Sequence, residues 1–174
     1  MKKKRYSLYL VGSVSLWKKE FKRRYSGVFN KKTKLFEPGT SGIPDDHRKI
    51  IRKIAEKDAR EIRRSDAVLI YMKNYTPLKY GGPAGVDSSW ECGYAYGIGK
   101  PLIAIIDDLN HLAYFEEQWM LTFHIDAYLT TNKKVVDAMS AITRFNGKEI
   151  ILCSSKNAIE EKIVDYLDRL GGNS

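Results

Sequence analysis

Two carboxylates stand beside buried strands in this chain of 174 residues, Asp58 and Glu91. Asp58 lies near the end of a helix predicted over residues 44–64, which runs into a strand predicted over 67–72. Glu91 lies in a glycine-rich helix predicted over residues 88–99, beyond the carboxyl end of that strand. Ligands bind parallel sheets at the carboxyl ends of their strands. Two carboxylates in different surroundings are what acid–base or nucleophilic chemistry at a sugar carbon needs.

Each carboxylate also has a purely structural interpretation. The spacing of Ser88 and Glu91 fits a capping box, in which the glutamate hydrogen-bonds back to the residue that caps the helix. Asp58 is flanked by Lys57 and Arg60, so it is also a candidate for a surface salt bridge, which would contribute only tenths of a kcal/mol. The start of a helix stabilises negative charge, which favours an ionised Glu91 that is ready to act as a nucleophile.

The helix that carries Glu91 contains Gly93, Gly97 and Gly99. Each glycine costs roughly 1 kcal/mol relative to alanine inside a helix, which indicates close backbone packing or close approach of a ligand. Neither these glycines nor those in residues 81–85 form a P-loop or a dinucleotide fingerprint, so no nucleotide cofactor is expected. The histidines and the two cysteines lack the spacing of metal ligands, so no metal is expected either.

The positive charge of the chain is concentrated at one end. Residues 1–34 hold 12 of the 30 Lys and Arg residues and one acidic residue, so the remainder has 18 basic and 20 acidic residues and a net charge of −2. A solvated helix face explains this segment better than a nucleic-acid surface, because no nucleic-acid-binding motif accompanies it. Nucleic acid is therefore an unlikely partner. The apolar runs are too short for a membrane span or a signal peptide, and the cysteines lie in apolar segments, which indicates reduced thiols in the cytoplasm.

Apolar runs alternate with helical patterns along the whole chain. This order predicts one domain over residues 1–174, an α/β fold with a doubly wound, flavodoxin-like sheet of about five mostly parallel strands and helices on both faces. Small and polar residues gather at the carboxyl edge of that sheet, among them Asp107 and Asp108. Strands are predicted over 6–11, 67–72, 102–106 and 127–130, with further candidates at 35–36 and 150–153, and helices over 15–25, 44–64, 88–99, 112–123, 135–144 and 158–170.

Three segments, in this order, resemble the nucleoside 2-deoxyribosyltransferase family, which includes the 2-deoxynucleoside 5-monophosphate N-glycosidases. Tyr9 to Ser13 resembles the family's first-strand motif, Tyr-x-x-Gly followed by a small residue. Asp58 precedes the Asp-Ala-Val that opens a strand at the family's spacing of eight residues. Residues 90–101 resemble the family's nucleophile helix, an aromatic-Glu-x-Gly-x-Ala pattern that ends in Gly-Lys-Pro.

The resemblance implies a mechanism and a set of site residues. Glu91 attacks the anomeric carbon of a 2-deoxyribonucleoside and forms a covalent glycosyl-enzyme, and a second nucleobase or water then takes the sugar. Asp58 or Asp87 protonates the leaving base if burial raises its pKa, and Tyr9 orients Glu91. A homodimer or higher homo-oligomer is implied as well. The expected catalytic residues are Glu91, Asp58 and Asp87, and the expected substrate-binding residues are Tyr9, Gly12, Ser13, Ser88 and Ser89.

Two departures from the family pattern leave the substrate open. Gly85 stands where members that transfer deoxyribose commonly have an aspartate, six residues before the glutamate. The basic residues nearest to Gly12 and Ser13 are Lys18 and Lys19, where phosphate-recognising members have an arginine soon after the loop. Two reactions are therefore considered: transfer of deoxyribose from a nucleoside, and hydrolysis of a nucleoside 5-monophosphate. Two other classes remain: a Toll/interleukin-receptor-like domain that cleaves NAD, suggested by the Ser-x-Trp-Glu string, and a non-catalytic nucleic-acid-binding module.

Overall fold

A six-stranded parallel sheet forms the centre of the computed structural model, which describes residues 5–11, 21–29, 32–36, 48–71, 86–117 and 119–171. Its strand order is β2-β1-β3-β4-β5-β6, and every neighbouring pair is parallel. The doubly wound α/β fold is confirmed, and the prediction of about five strands is corrected to six because both short candidates are strands. The strands are β1 (Tyr6–Val11), β2 (Thr33–Phe36), β3 (Ala67–Ile70), β4 (Leu102–Ile105), β5 (Ala127–Thr130) and β6 (Glu149–Leu152).

The helices alternate with the strands, and several of their ends differ from the prediction. The helix predicted over 112–123 is two helices, α4 and α5, and the one predicted over 135–144 ends at Ser140 before a short 3-10 turn, Thr143–Phe145. Helix α1 is described over residues 21–24, and the predicted first turn around Pro44 lies outside the described residues. The remaining helices are α2 (Arg48–Arg64), α3 (Val86–Gly97), α4 (Leu109–Glu117), α5 (Trp119–His124), α6 (Lys133–Ser140) and α7 (Asn157–Gly171).

Both faces of the sheet are covered, which explains why its central strands are apolar throughout. Every residue of β3, β4 and β5 is buried. Alternate side chains contribute to two apolar clusters, one packed against α1 and α7 and the other against helices α2 to α6. Leu8 and Leu10 of β1 point into the first cluster, while Tyr9 and Val11 point into the second. A parallel strand that is buried on both faces shows no polar alternation.

Polar contacts hold the amino edge of the sheet, and they explain part of the sequence pattern that resembles the family. Asp66 and Asp126 accept hydrogen bonds from the backbone N–H groups of Ser7 and Leu102, at 2.7 and 2.8 Å. Gly99 ends the turn after α3 with a φ of +72°, a conformation that favours glycine. The aspartate before β3 and the glycine before β4 therefore contribute to the scaffold.

The strand order reverses between β1 and β3. The chain passes from β1 outward to β2 on one side, and continues with β3 to β6 on the other side. In open α/β sheets, ligands bind outside the carboxyl ends of the strands at such a switch point. Helix α2 leads into β3 and helix α3 follows it, so the helices that carry Asp58 and Glu91 both adjoin this point.

Candidate active site

Glu91 lies on the inward face of α3, in the middle of the helix. Ser88, Glu91, Cys92 and Ala95 are all buried, and their spacing places them on one side of the helix. The helix begins at Val86, so Ser88 lies inside it and does not cap it. The capping-box interpretation of Ser88 and Glu91 is therefore wrong.

Asp58 lies on the inward face of α2, four residues before the buried Ile62. Only 6% of Asp58 is exposed, which excludes the surface salt bridge considered from the sequence. Ion pairs of that kind do form on the exposed face of the same helix, for example between Lys57 and Glu61. A carboxylate is rarely buried to this degree without a specific role, so Asp58 is a candidate functional residue.

Tyr9 of β1 brings the two carboxylates together. Its hydroxyl donates a hydrogen bond to Oε1 of Glu91 at 2.6 Å, and both residues are buried. Burial raises the pKa of Tyr9 above its ordinary value of 10.0, and the charge of Glu91 and the hydrogen bond to it raise it further. The charge of Asp58 and a hydrogen bond to Asp58 raise the same pKa by smaller amounts. Tyr9, Asp58 and Glu91, here called the switch-point cluster, thus form one polar group at the junction of β1, α2 and α3.

The electrostatics of this cluster favour different protonation states for its two carboxylates. Two like charges that share a buried site disfavour each other's ionisation. The hydrogen bond from Tyr9 favours an ionised Glu91. Burial, followed by the charge of Glu91, raises the pKa of the neighbouring Cys92 thiol, so this cysteine stays neutral and is a poor competing nucleophile. The arrangement suits one carboxylate nucleophile and one carboxylic acid.

The structure describes only some of the other predicted site residues. Ser88 is buried on the same face of α3 as Glu91, whereas Ser89 is exposed and does not join the cluster. Asp87 has its backbone in the first turn of α3, but its side chain lies outside the described residues, as do Gly12 and Ser13.

Two glycines of α3 do not have the close contacts expected from the sequence. A Cβ atom built on Gly93 or Gly97 would meet no atom within 4 Å in the part of the chain that the structure describes. Both residues are exposed on the outer side of the helix. Among the described residues, the expectation of close packing around these two glycines is wrong.

A second polar cluster lies at the carboxyl edge of the sheet and was not predicted as a unit. Asp107 follows β4, and its carboxylate accepts hydrogen bonds from the hydroxyls of Tyr25 and Tyr71, the latter at 2.5 Å. Arg24 forms an ion pair with the same carboxylate at 3.2 Å. These four residues are called the edge cluster below. The only signal in the sequence was the position of Asp107 directly after a buried strand.

Neither a metal centre nor a membrane segment is indicated in the part of the chain that the structure describes. Within those residues, no group of three or more His, Cys, Asp or Glu side chains is arranged to hold a metal ion. The described helices are also too short or too polar to cross a bilayer.

Comparisons with known proteins agree with this architecture. A family model described as nucleoside 2-deoxyribosyltransferase matches residues 8–146, which include Tyr9, Asp58 and Glu91. The 2-deoxyribosyltransferase of the psychrotolerant bacterium Bacillus psychrosaccharolyticus has a similar fold, with a TM-score of 0.50 and 16% identity, covering 84% of this chain and 99% of that chain. Comparison with curated protein sequences gives no match. The family match supports an enzyme of the deoxyribosyl-transferring type, and the chain belongs to the nucleoside 2-deoxyribosyltransferase family.

Proposed function

We propose that this protein cleaves the N-glycosidic bond of 2-deoxyribonucleosides and transfers the deoxyribose to another nucleobase through a glycosyl-enzyme on Glu91. One observation carries the proposal: the buried Glu91 accepts a hydrogen bond from Tyr9, and the same hydroxyl interacts with the buried Asp58. A buried pair of carboxylates at the ligand-binding edge of an α/β sheet is costly to fold and suited to chemistry at an anomeric carbon.

The first step breaks the bond between the anomeric carbon and the base. A carboxylate oxygen of Glu91 bonds to that carbon, the electron pair of the broken bond goes to the base nitrogen, and Asp58 supplies the proton that the base takes away. In the second step, a nitrogen of the incoming base displaces Glu91 and returns a proton to Asp58. Asp87 is a second candidate for the acid, since its backbone lies one turn before Glu91 in α3.

The alternative is a hydrolase that acts on 2-deoxyribonucleoside 5-monophosphates, with water as the second-step acceptor. Ser88, Gly12 and Ser13 are the candidates for binding the sugar or its 5-phosphate, and Ser88 shares the buried face of Glu91. Ser89 is a weaker candidate because it lies on the exposed side of α3. No cofactor enters either reaction.

A homodimer or higher homo-oligomer fits the outer surface of α3 and α5. Trp90, Tyr96 and Phe123 are exposed there by 47, 51 and 67%. Aromatic side chains are enriched in protein interfaces, and the open face of Gly93 and Gly97 permits close approach of another chain. Sedimentation velocity tests this proposal: Phe123→Glu should lower the mass of the assembly, and an unchanged mass would move the interface elsewhere.

The cytoplasm is the compartment that we propose. Cys92 and Cys153 are both free and buried, which suits a reducing environment.

The deciding experiment incubates the protein with a panel of deoxynucleosides, their 5-monophosphates, the matching ribose compounds and NAD, with and without free adenine. Base exchange that needs adenine supports transfer, whereas base release without it supports the hydrolase. Ribose substrates should react about 100-fold more slowly. The ratio should not be much larger, because an apolar pocket discriminates only modestly against one added hydroxyl. Release of nicotinamide from NAD, with no reaction of deoxyribose substrates, would instead favour the Toll/interleukin-receptor-like activity.

A further inference from the structure

Helices α2 and α3 run in the same direction and pack against each other, and each carries one of the two carboxylates. Helix α2 leads into β3 and helix α3 follows it, so both helices start at the carboxyl edge of the sheet and end at its amino edge. Arg63 lies five residues after Asp58, and Tyr94 lies three residues after Glu91. At about 1.5 Å of rise per residue, Arg63 and Tyr94 are about 7.5 and about 4.5 Å nearer to the amino edge than these carboxylates.

A hydrogen bond joins the two helices at that level. Nη1 of Arg63 donates to the hydroxyl of Tyr94 at 2.5 Å, and the guanidinium carbon lies 5.9 Å from the centre of the same ring. The ring of Trp90 stacks on Tyr94, with a centroid distance of 5.5 Å and an angle of 13° between the ring planes. Tyr94 also packs against the apolar cluster that includes Tyr9 and Ile62. Arg63 and Tyr94, here called the helix clasp, thus connect the exposed side of α2 to the packed side of α3.

A second contact holds the ends of the same two helices together. Nζ of Lys100, in the turn after α3, donates to the carbonyl of Ser65, in the turn after α2, at 2.6 Å. Ser65 is buried, and its own hydroxyl donates to the carbonyl of Ile62 at 2.7 Å. Both contacts lie on the amino-edge side of Asp58 and Glu91, whereas ligands bind at the opposite edge of such a sheet. The two helices are therefore held together on the side away from the ligand-binding edge.

The separation of α2 and α3 matters because Asp58 and Glu91 interact across it. Both carboxylates interact with the hydroxyl of Tyr9, and they are exposed by only 6 and 4%. The interaction of two charges weakens as their distance grows, and it is strong where water is excluded. An ionised Glu91 favours the protonated form of the neighbouring Asp58, which is the form that the proposed reaction needs as its acid.

We propose that Arg63 and Tyr94 are positioning residues, which hold α2 and α3 at the separation that keeps Asp58 protonated beside an ionised Glu91. This inference rests on the proposed function. Arg63 is exposed, and the hydroxyl of Tyr94 is directed to Arg63, so the helix clasp acts through the two carboxylates and not through contact with the substrate. Loss of the clasp should therefore change the rate and the proton affinity of Asp58 but not the binding of the substrate.

The test uses Tyr94→Phe, which removes the hydroxyl but keeps every charge and the ring that stacks on Trp90. With the deoxynucleoside that the wild type cleaves best, kcat should fall about fivefold while KM changes by less than about twofold. The alkaline limb of the pH–rate profile should move about half a pH unit lower, because a more distant Glu91 disfavours the ionised form of Asp58 less strongly. The acid limb should stay in place, since Glu91 ionises while Asp58 is still neutral.

Arg63→Lys tests the same contact from the other helix. Lysine keeps the positive charge but lacks the planar fork of donors, so this variant should reproduce the rate and pH effects. The double variant should be no worse than either single variant, because both substitutions break one contact.

Arg169→Lys is the matched control. The guanidinium carbon of Arg169 lies 5.7 Å from the ring centre of Tyr166, and the same side chain forms an ion pair with Glu149, which joins α7 to β6. This arginine is therefore also exposed, lies over a tyrosine ring and connects two elements, but neither element carries a candidate catalytic residue. Arg169→Lys should leave kcat and both limbs of the pH–rate profile unchanged.

A titration of the Asp58 carboxyl group by carboxyl-carbon NMR measures the same effect without turnover. Its midpoint should lie about half a pH unit lower in Tyr94→Phe than in the wild type. Tyr9 and Cys92 lie beside the carboxylates, and burial raises the pKa of both groups, so neither titrates in place of Asp58.

The outcomes separate the two proposals. If Tyr94→Phe and Arg63→Lys lower Tm but leave kcat, the alkaline limb and the Asp58 titration as in the wild type, the helix clasp is only a structural contact and the positioning role is overturned. A rise in KM at constant kcat would overturn it as well. A wild type that releases base from no member of the panel would overturn the proposed function, and the Asp58 titration would still decide whether the helix clasp sets the separation of the carboxylates.

Discussion

The switch-point cluster and the edge cluster use the same chemical groups in opposite proportions. In the first, the hydroxyl of Tyr9 interacts with two carboxylates, those of Glu91 and Asp58. In the second, the single carboxylate of Asp107 receives two tyrosine hydroxyls and one arginine. All three carboxylates have little exposure to water.

This difference separates a group built for chemistry from a group built for stability. A buried carboxylate that receives several donors and a cation has its charge compensated, and such a network makes the local structure rigid. Two buried carboxylates around one hydroxyl instead disfavour each other's ionisation, which costs folding free energy and shifts proton affinities. The comparison therefore supports the proposal that Glu91 and Asp58 carry out the reaction, and it indicates that Asp107 stabilises the edge.

The largest effect is expected from Glu91→Ala. Loss of the nucleophile should reduce base exchange and hydrolysis by about a thousandfold or more. Because a buried carboxylate is removed and no helix cap is lost, Tm should stay the same or rise. Asp107→Ala, which removes the carboxylate that meets Arg24 and the hydroxyls of Tyr25 and Tyr71, should instead lower Tm. A folded Glu91→Ala protein with full activity would contradict the proposed mechanism.

Asp58→Asn is expected to have the next largest effect. The amide keeps the shape of the side chain but cannot supply a proton to the leaving base, so kcat should fall about a hundredfold while the unfolding midpoint changes little. Comparing kcat/KM with urea unfolding of the same preparation decides this. An unchanged kcat/KM would exclude Asp58 as the acid and would leave Asp87 as the remaining candidate.

Tyr9→Phe should have a smaller effect on the rate and a diagnostic effect on its pH dependence. The ionised form of Glu91 loses a hydrogen-bond donor, so the acid limb of the pH–rate profile should move to higher pH and kcat should fall about tenfold. Tyr25→Phe removes a hydroxyl from the edge cluster and is the matched control, for which the acid limb should not move. Identical profiles for both variants would contradict the assigned roles.

The pattern of apolar runs predicted the fold because the central strands are buried on both faces. The two outermost strands were uncertain because they are less buried than the central ones: Lys34 of β2 is exposed, and β6 is only partly buried. The start of α3 was misplaced because Ser88 and Glu91 have the spacing of a cap by coincidence. Spacing alone did not distinguish a buried Asp58 from a surface one, and the family resemblance supplied that assignment. The edge cluster was beyond sequence reasoning, because Asp107 is 36 positions from Tyr71 and 82 from Tyr25.

The smallest expected effect concerns the hydrogen bond from Tyr6 to Asp168 at the amino edge of the sheet, and it appears only in alkali. The hydrogen bond to Asp168, followed by burial, raises the pKa of Tyr6 to about 12 from its ordinary value of 10.0. A raised pKa in the folded state means that the stabilisation is complete below about pH 10 and is lost as the pH rises towards about 12. One proton contributes at most about 1.4 kcal/mol per pH unit to that loss.

Burial raises the pKa of Tyr166 to about 12, so this residue adds to the same loss of stability in alkali. The informative quantity is therefore the difference in the pH slope of the unfolding free energy between the wild type and a variant. The free energy of unfolding should fall less steeply above about pH 10 in Tyr6→Phe than in the wild type. Urea unfolding on either side of that pH measures both slopes. Asp168→Asn should also flatten the slope, because it removes the negative charge that strengthens the hydrogen bond from the phenol and disfavours the phenolate. Parallel slopes for all three proteins would mean that this tyrosine–aspartate pair does not persist in solution.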